Sequence, residues 1–289
     1  MLINTTTRLG LKQKLGLFEP HLTEEEVRTT IKKIEDESEL SKQHQKRFAD
    51  YIHLPGWQEI NLVLEGSEPP IDPKDLELIT TTSYHLQAVR QGGADDITPI
   101  SVMGLVLTKD DKFIHVIRGG NVDRGKVRVS PGGTLSNRYD GNNLLFAAFY
   151  EQLLKELGVK KDGSSRPFLM GYLTDPGVSK GVIFLFYIPV KESSPEINEK
   201  YQKAFSVYQK ALLKGVPEVE ARKEIKSAGF PNTNAWKQQG LIFVDNDPKL
   251  IDETIKSRII LQKGTEYPLS DTGRGALILC RACPENYFG

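Results

Sequence analysis

Apolar and polar positions change period along the chain, and the changes mark its elements. Residues 144–157 are apolar at 145, 149, 153 and 157, the spacing of one helix face, and Gly158 stands where a helix end favours a left-handed residue. Short runs rich in β-branched and aromatic residues predict strands at 60–64, 101–107, 113–118, 127–129, 168–174, 182–190 and 241–244. Lys109-Asp110-Asp111-Lys112 reads as a hairpin turn, and Pro131-Gly132-Gly133 as a tight turn in which glycine permits positive φ. Residues 193–229 are rich in Lys and Glu and predict two helices broken near Gly215-Val216-Pro217; a short helix at 248–257 and an apolar segment at 275–279 come after them.

The first quarter of the chain has a different texture. Thr23 followed by Glu24, Glu25 and Glu26 offers a capping hydroxyl and acids at the positive end of a helix dipole, with Val27, Ile31 and Ile34 on one face. Residues 1–55 therefore read as mainly helical, and a further helix is expected at 73–90. The glycine and acid loop 92–96 marks a boundary. The expectation is a mainly helical N-terminal extension over 1–97 and a core domain over 98–289, with a helical insertion at about 193–229.

Composition narrows the classes. The 289 residues carry 38 Lys plus Arg and 38 Asp plus Glu, so net charge is zero. That balance argues against a global nucleic-acid or anionic-membrane binder and leaves local basic patches open. No run approaches the ~18 apolar residues of a membrane helix, and no signal-peptide pattern opens the chain, so the expected location is cytoplasmic. The two cysteines, Cys280 and Cys283, cannot fill a four-ligand zinc site, and they run into Pro284 instead of opening a helix; they read as two reduced thiols. No Cys–His pair is visible in the sequence.

The order strand, strand, Pro-Gly-Gly, then an amphipathic helix ending Glu156-Leu157-Gly158-Val159 resembles the Nudix family, whose box reads G-x5-E-x7-R-E-U-x-E-E-x-G-U. Gly133 takes the place of the first glycine, with about four extra residues between 136 and 143. The resemblance implies an α/β/α sandwich around a mixed sheet, and a box whose glutamates hold Mg²⁺ or Mn²⁺ for pyrophosphohydrolysis. This chain departs from the box. Glu151 stands at the Arg position, Gln152 and Lys155 stand at acid positions, and Glu156 alone keeps its acid. A one-residue slip would make Glu151 a metal ligand, and only a helical bulge would bring it to Glu156. Asp123, Asp140, Asp175, Asp245 and Asp247 are acids that loops could supply.

Arg118, Arg124, Lys126 and Arg128 lead into Gly132 and Gly133, and together they form the expected phosphate-binding region. Gly120 to Val127 nearly matches a P-loop but leads into a strand, where no helix N-terminus completes the cradle. Three readings are open. The first is a Nudix-like protein binding a nucleotide or nucleoside-diphosphate-linked metabolite, with hydrolysis weak or lost. The second is an active divergent pyrophosphohydrolase using Glu156 and Glu151 with Mg²⁺ or Mn²⁺. The third is an interaction module that docks through the helices expected at 22–50 and 193–229. A homodimer built by the extension is compatible with each.

Overall fold

The computed structural model describes residues 1–32, 61–66, 71–82, 86, 89–90, 96–119, 124–136, 138–139, 143–162, 165–175 and 180–283. Its centre is the strand β6 (Ile97–Leu107), whose side chains are buried on both faces. Ile100, Val102 and Val106 face one core, and Met103, Leu105 and Leu107 face another. Its neighbour β11 (Gly181–Pro189) runs parallel and alternates the same way, with Phe184 and Phe186 on the first face and Leu185 and Tyr187 on the second. A strand buried on both faces must be covered by helices on both sides, and it is.

The opposite edge of β6 serves three partners in succession. The strand β4 (Asn61–Glu65) pairs with 97–99, β9 (Gly132–Thr134) with 101–103, and β7 (Lys112–Arg118) at Leu107. Beyond β7 lie β8 (Val127–Val129) and β12 (Gln238–Asp245), both antiparallel to it. Beyond β11 lies β10 (Phe168–Asp175), then β2 (Lys12–Leu22) and β1 (Leu2–Thr6). Beyond β4 come β5 (Leu76–Thr81) and β3 (Thr29–Lys32), the latter pair parallel. The architecture is a mixed α/β sheet between helical layers, as expected.

On the first face lie the helix α1 (Leu144–Gln152), its π-helical continuation Leu153–Leu157, and the pair α2 (Ser194–Leu213) and α3 (Glu218–Ser227), which break where the glycine and proline predict. The second face carries α4 (Pro248–Ser257), the hairpin of β13 (Ile259–Gln262) and β14 (Thr265–Pro268), and α5 (Asp271–Ala282).

The helical N-terminal extension is not what forms. The N-terminus is mostly strands, and it joins the sheet through β2 beside β10 and β4 beside β6. The capping chemistry at Thr23 is real: the Glu26 carboxylate accepts from the Thr23 amide at 2.9 Å and from its hydroxyl at 3.0 Å. It closes a turn, because the residues after it, Thr29, Thr30 and Ile31, are β-branched and find a partner strand in β5. The helix expected over 73–90 is likewise overtaken by β5, where Leu76 and Leu78 point inward and Glu77 outward; only Leu86, Val89 and Arg90 among the described residues are helical there. Of the docking helix expected over 22–50, residues 29–32 are strand and 33–50 lie outside the described residues.

Helix α1 lies on the sheet at Gly104. Phe149 stacks on Phe186 at 4.6 Å between ring centroids, and a β-carbon built on Gly104 would stand 2.3 Å from the Phe149 ring. The glycine is what lets the ring reach the sheet, so Gly104→Ala is expected to cost about 1–3 kcal/mol in a urea melt through overpacking. His115 in β7 is fully buried and behaves as a sheet residue, its Nε2 without a hydrogen-bond partner. Burial lowers its pKa to about 4 from 6.5. The unfolded chain therefore takes up a proton that the folded chain refuses. Stability is full above about pH 6.5 and falls by about 3 kcal/mol as pH drops to about 4. The stability–pH curve of His115→Leu, measured by denaturant titration, should lack that decline.

Candidate functional site: a cationic cluster around a buried glutamate

The last turn of the α1 segment is π-helical, with Leu153 and Leu157 fully buried as its anchors. Gly158 closes it at φ +71°, and its N–H donates to the Leu154 carbonyl at 2.9 Å. The Lys155 carbonyl, left over at the helix end, accepts from the Asn234 amide at 2.8 Å. This turn carries Glu156 inward, where it is 1 % exposed.

One oxygen of Glu156 does most of the binding. Its Oε2 accepts from the Ser130 hydroxyl at 2.8 Å, the Gln238 side-chain amide at 3.0 Å and the Gly132 backbone N–H at 3.3 Å. The turn is thereby tied to β9, to the β8–β9 link before it, and to the start of β12. The other oxygen, Oε1, has no hydrogen-bond partner and lies 4.0 Å from the Arg128 guanidinium.

Strand parity brings the cations to the same face. Val127 and Val129 of β8 enter the second core, so Arg128 between them points toward α1. Ile114 and Val116 of β7 enter the first core, and Arg118 continues that parity. Lys237 ends the short 3₁₀ turn Ala235–Lys237 just before β12. Burial lowers the Lys237 pKa; the charge of Glu156 opposes this, while Arg128, Arg118 and Lys155 push in the same direction as burial. Arg118, Arg128, Lys155 and Lys237 thus share one electrostatic neighbourhood with one interior carboxylate.

The helices α2 and α3 support this side of the cluster. The Tyr201 hydroxyl, fully buried on α2, donates to the Gln238 carbonyl at 2.9 Å, and Asn232 Nδ2 donates to the Lys200 carbonyl at 3.2 Å. The Arg222 guanidinium of α3 covers the Trp236 ring at 3.6 Å, so that face of the indole is occupied by protein.

Of the residues marked in the sequence, Glu156, Arg118, Arg128 and Gly132 come together here. Gly132 and Gly133 do not form a positive-φ turn; they are strand β9. Their small size serves close approach instead, since a β-carbon on Gly133 would stand 2.7 Å from the Gln152 side chain. Glu151 is 25 % exposed in its side chain, where Glu156 is buried. It pairs with Lys155 and with Arg138, whose Nε lies 3.0 Å away. Burial raises the Glu151 pKa, but the hydrogen bonds from Lys155 and Tyr139 and the charge of Arg138 outweigh it and hold the carboxyl below the usual range. Arg124 is exposed in the turn before β8, and Lys126 precedes that strand, its backbone carbonyl accepting from the Arg118 N–H at 3.0 Å.

The other acids lie elsewhere. Asp175 ends β10 and feels Arg90, Asp245 pairs with Lys112 at 3.7 Å, and Asp247 caps α4. Asp123 and Asp140, with the first half of the P-loop-like stretch, lie outside the described residues. Sequence reasoning missed Ser130, Lys237 and Gln238, which have no motif around them and meet Glu156 only through strand pairing.

No family model matches the chain, and no curated protein matches it. Solved structures overlap it weakly. A protein of Deinococcus radiodurans, DR0079, gives a TM-score of 0.35 at 14 % identity, covering 63 % of this chain and 82 % of that one. A MutT/nudix family protein from Enterococcus faecalis gives 0.27 at 13 % identity, covering 54 % and 50 %. The NUDIX domain of NrtR from Shewanella oneidensis, solved with ADP ribose, gives 0.27 at 16 % identity, covering 39 % and 72 %. Overlaps of this size do not establish a family. What fold and site define is a mixed α/β protein with a cationic cluster built on a buried glutamate.

Two substitutions separate the roles of the Glu156 oxygens. Glu156→Gln can keep an acceptor for all three donors and removes only charge, for an expected loss of about 1–3 kcal/mol. Glu156→Ala strands three buried donors and should cost more, about 3–5 kcal/mol. Urea titration of both variants against the parent protein measures the difference.

Proposed function

We propose that this chain is a Nudix-like protein that binds the phosphates of a nucleotide or a nucleoside-diphosphate-linked metabolite, with hydrolysis weak or lost. The observation that supports the reading is the excess of cations around Glu156. Arginine forks suit phosphate oxygens in pairs, and ammonium groups add point charge. The cluster also has three buried acceptor oxygens with no hydrogen-bond partner, on Glu156, Gln152 and Gln238. A nucleotide brings the anionic oxygens that such a cluster of cations attracts.

The donor set does not fit Mg²⁺ or Mn²⁺. These ions take several hard oxygen ligands, usually including more than one carboxylate. Here one carboxylate spends an oxygen on three internal donors and is surrounded by cations. Among the described residues no group of three or more His, Cys, Asp or Glu is placed to hold a metal. The residues can bind and orient an anion and keep water from the Glu156 side of it, and no hydrolytic step is derived through a metal.

Titration calorimetry with inorganic pyrophosphate, ADP and ADP-ribose, each with EDTA and with Mg²⁺, tests the reading. Binding is expected without metal and should weaken as salt rises. Arg128→Met and Lys237→Met should each weaken it. Glu156→Gln removes the buried opposing charge and should tighten it by about tenfold at low salt. Metal-dependent release of product from ADP-ribose that disappears in Glu156→Gln would overturn this reading in favour of a working pyrophosphohydrolase.

A further inference from the structure

The two cysteines lie on the opposite side of the sheet from Glu156, at the end of α5, and they are not isolated. His21 of β2, distant in sequence, places its Nε2 2.6 Å from Cys283 Sγ. The other ring nitrogen, Nδ1, lies 2.9 Å from the Phe18 carbonyl. A carbonyl only accepts, so Nδ1 carries the hydrogen and Nε2 presents a lone pair. Cys283 must therefore donate its S–H to the imidazole. The ring is held in plane by Phe168, stacked on it at 4.9 Å with 4° between the planes. Cys280 sits one turn back, its carbonyl accepting from the Cys283 N–H at 3.2 Å. Tyr187 feels the charge state of both thiols, and the charge of Glu19 adds to the upward push on the Cys283 thiol.

We propose that Cys280, Cys283 and His21 form a peroxide-responsive thiol site that closes to a Cys280–Cys283 disulfide. The Cys283 proton passes to His21 Nε2, and the sulfur attacks one oxygen of hydrogen peroxide. The O–O bond breaks, the departing hydroxide takes the proton from His21 as water, and Cys283 becomes a sulfenic acid, oxidised by two electrons. The Cys280 sulfur then attacks the Cys283 sulfur. The S–O bond breaks, and the hydroxide leaves as water with the Cys280 proton. Two thiols and one peroxide give one disulfide and two waters. Cys280 and Cys283 are each 5 % exposed as residues, so the oxidant the site suits is a small one. Burial pushes both thiols up to about 12 and lowers His21, so the resting pair is neutral and the proton moves to His21 only as the sulfur–oxygen bond forms.

The test uses the full chain and hydrogen peroxide. Intact mass should fall by two hydrogens, and peptide mapping should join Cys280 to Cys283, with reversal by dithiothreitol. In Cys280→Ser, intact mass should rise by one oxygen that maps to Cys283 and is removed by dithiothreitol, the behaviour of a trapped sulfenic acid. His21→Asn, checked by a cooperative thermal melt, should slow disulfide formation about tenfold. Mapping that finds only sulfinic or sulfonic acids in the parent protein overturns the proposal without any variant. So does a folded His21→Asn that oxidises at the parent rate.

Discussion

Glu156 Oε2 is the point on which the site's geometry depends. An interior carboxylate must be hydrogen-bonded and near positive charge, or it costs several kcal/mol. This one meets the requirement with donors from the β8–β9 link, from β9 and from β12, segments that are not all neighbours in sequence. In satisfying itself it fixes the strand ends on which Arg128, Lys237 and Gln238 ride. The cations do not crowd together because they attract; they are held there by strand pairing, with Glu156 as buried counter-charge and Glu151 paired to Lys155.

The same geometry explains how a helix with so few acids remains well built. Leu145, Phe149, Leu153 and Leu157 carry its packing, all fully buried. Glu151 and Lys155 satisfy each other one turn apart, and Arg138 joins them from the preceding loop. Helix stability therefore rests on leucines, phenylalanines and a surface ion pair, none of which requires metal chemistry.

Much of the core was legible in the sequence, for a physical reason. Strands such as β8 and β11, and the α1 segment with Gly158 behind it, have periods set by burial, and burial is written directly into residue choice. The N-terminal strands were not legible. Thr23 and Glu26 make the capping contacts the sequence promised, but those contacts are equally at home in a turn. Whether residues 29–32 continue as helix or strand is decided by β5, far along the chain. The site was half legible: Arg118, Arg128 and Glu156 lie close to a recognisable pattern, whereas Ser130, Lys237 and Gln238 acquire meaning only through register. His21 and Cys283 show the same limit, since no local signal connects β2 to the end of α5.

The strand β6 pairs with β4, β9 and β7 along one edge while β11 runs along the other. Its residues also alternate between two separate cores. A single inserted residue midway would exchange the inward faces of everything after it and shift several pairings at once. This strand is thus closed to changes of length, and the chain can grow or shrink only where pairing does not count. The link between β9 and α1 lies beyond the last pairing of β9 with this strand. A change of chain length is therefore confined to the links at the rim of the sheet by a central element that cannot tolerate it.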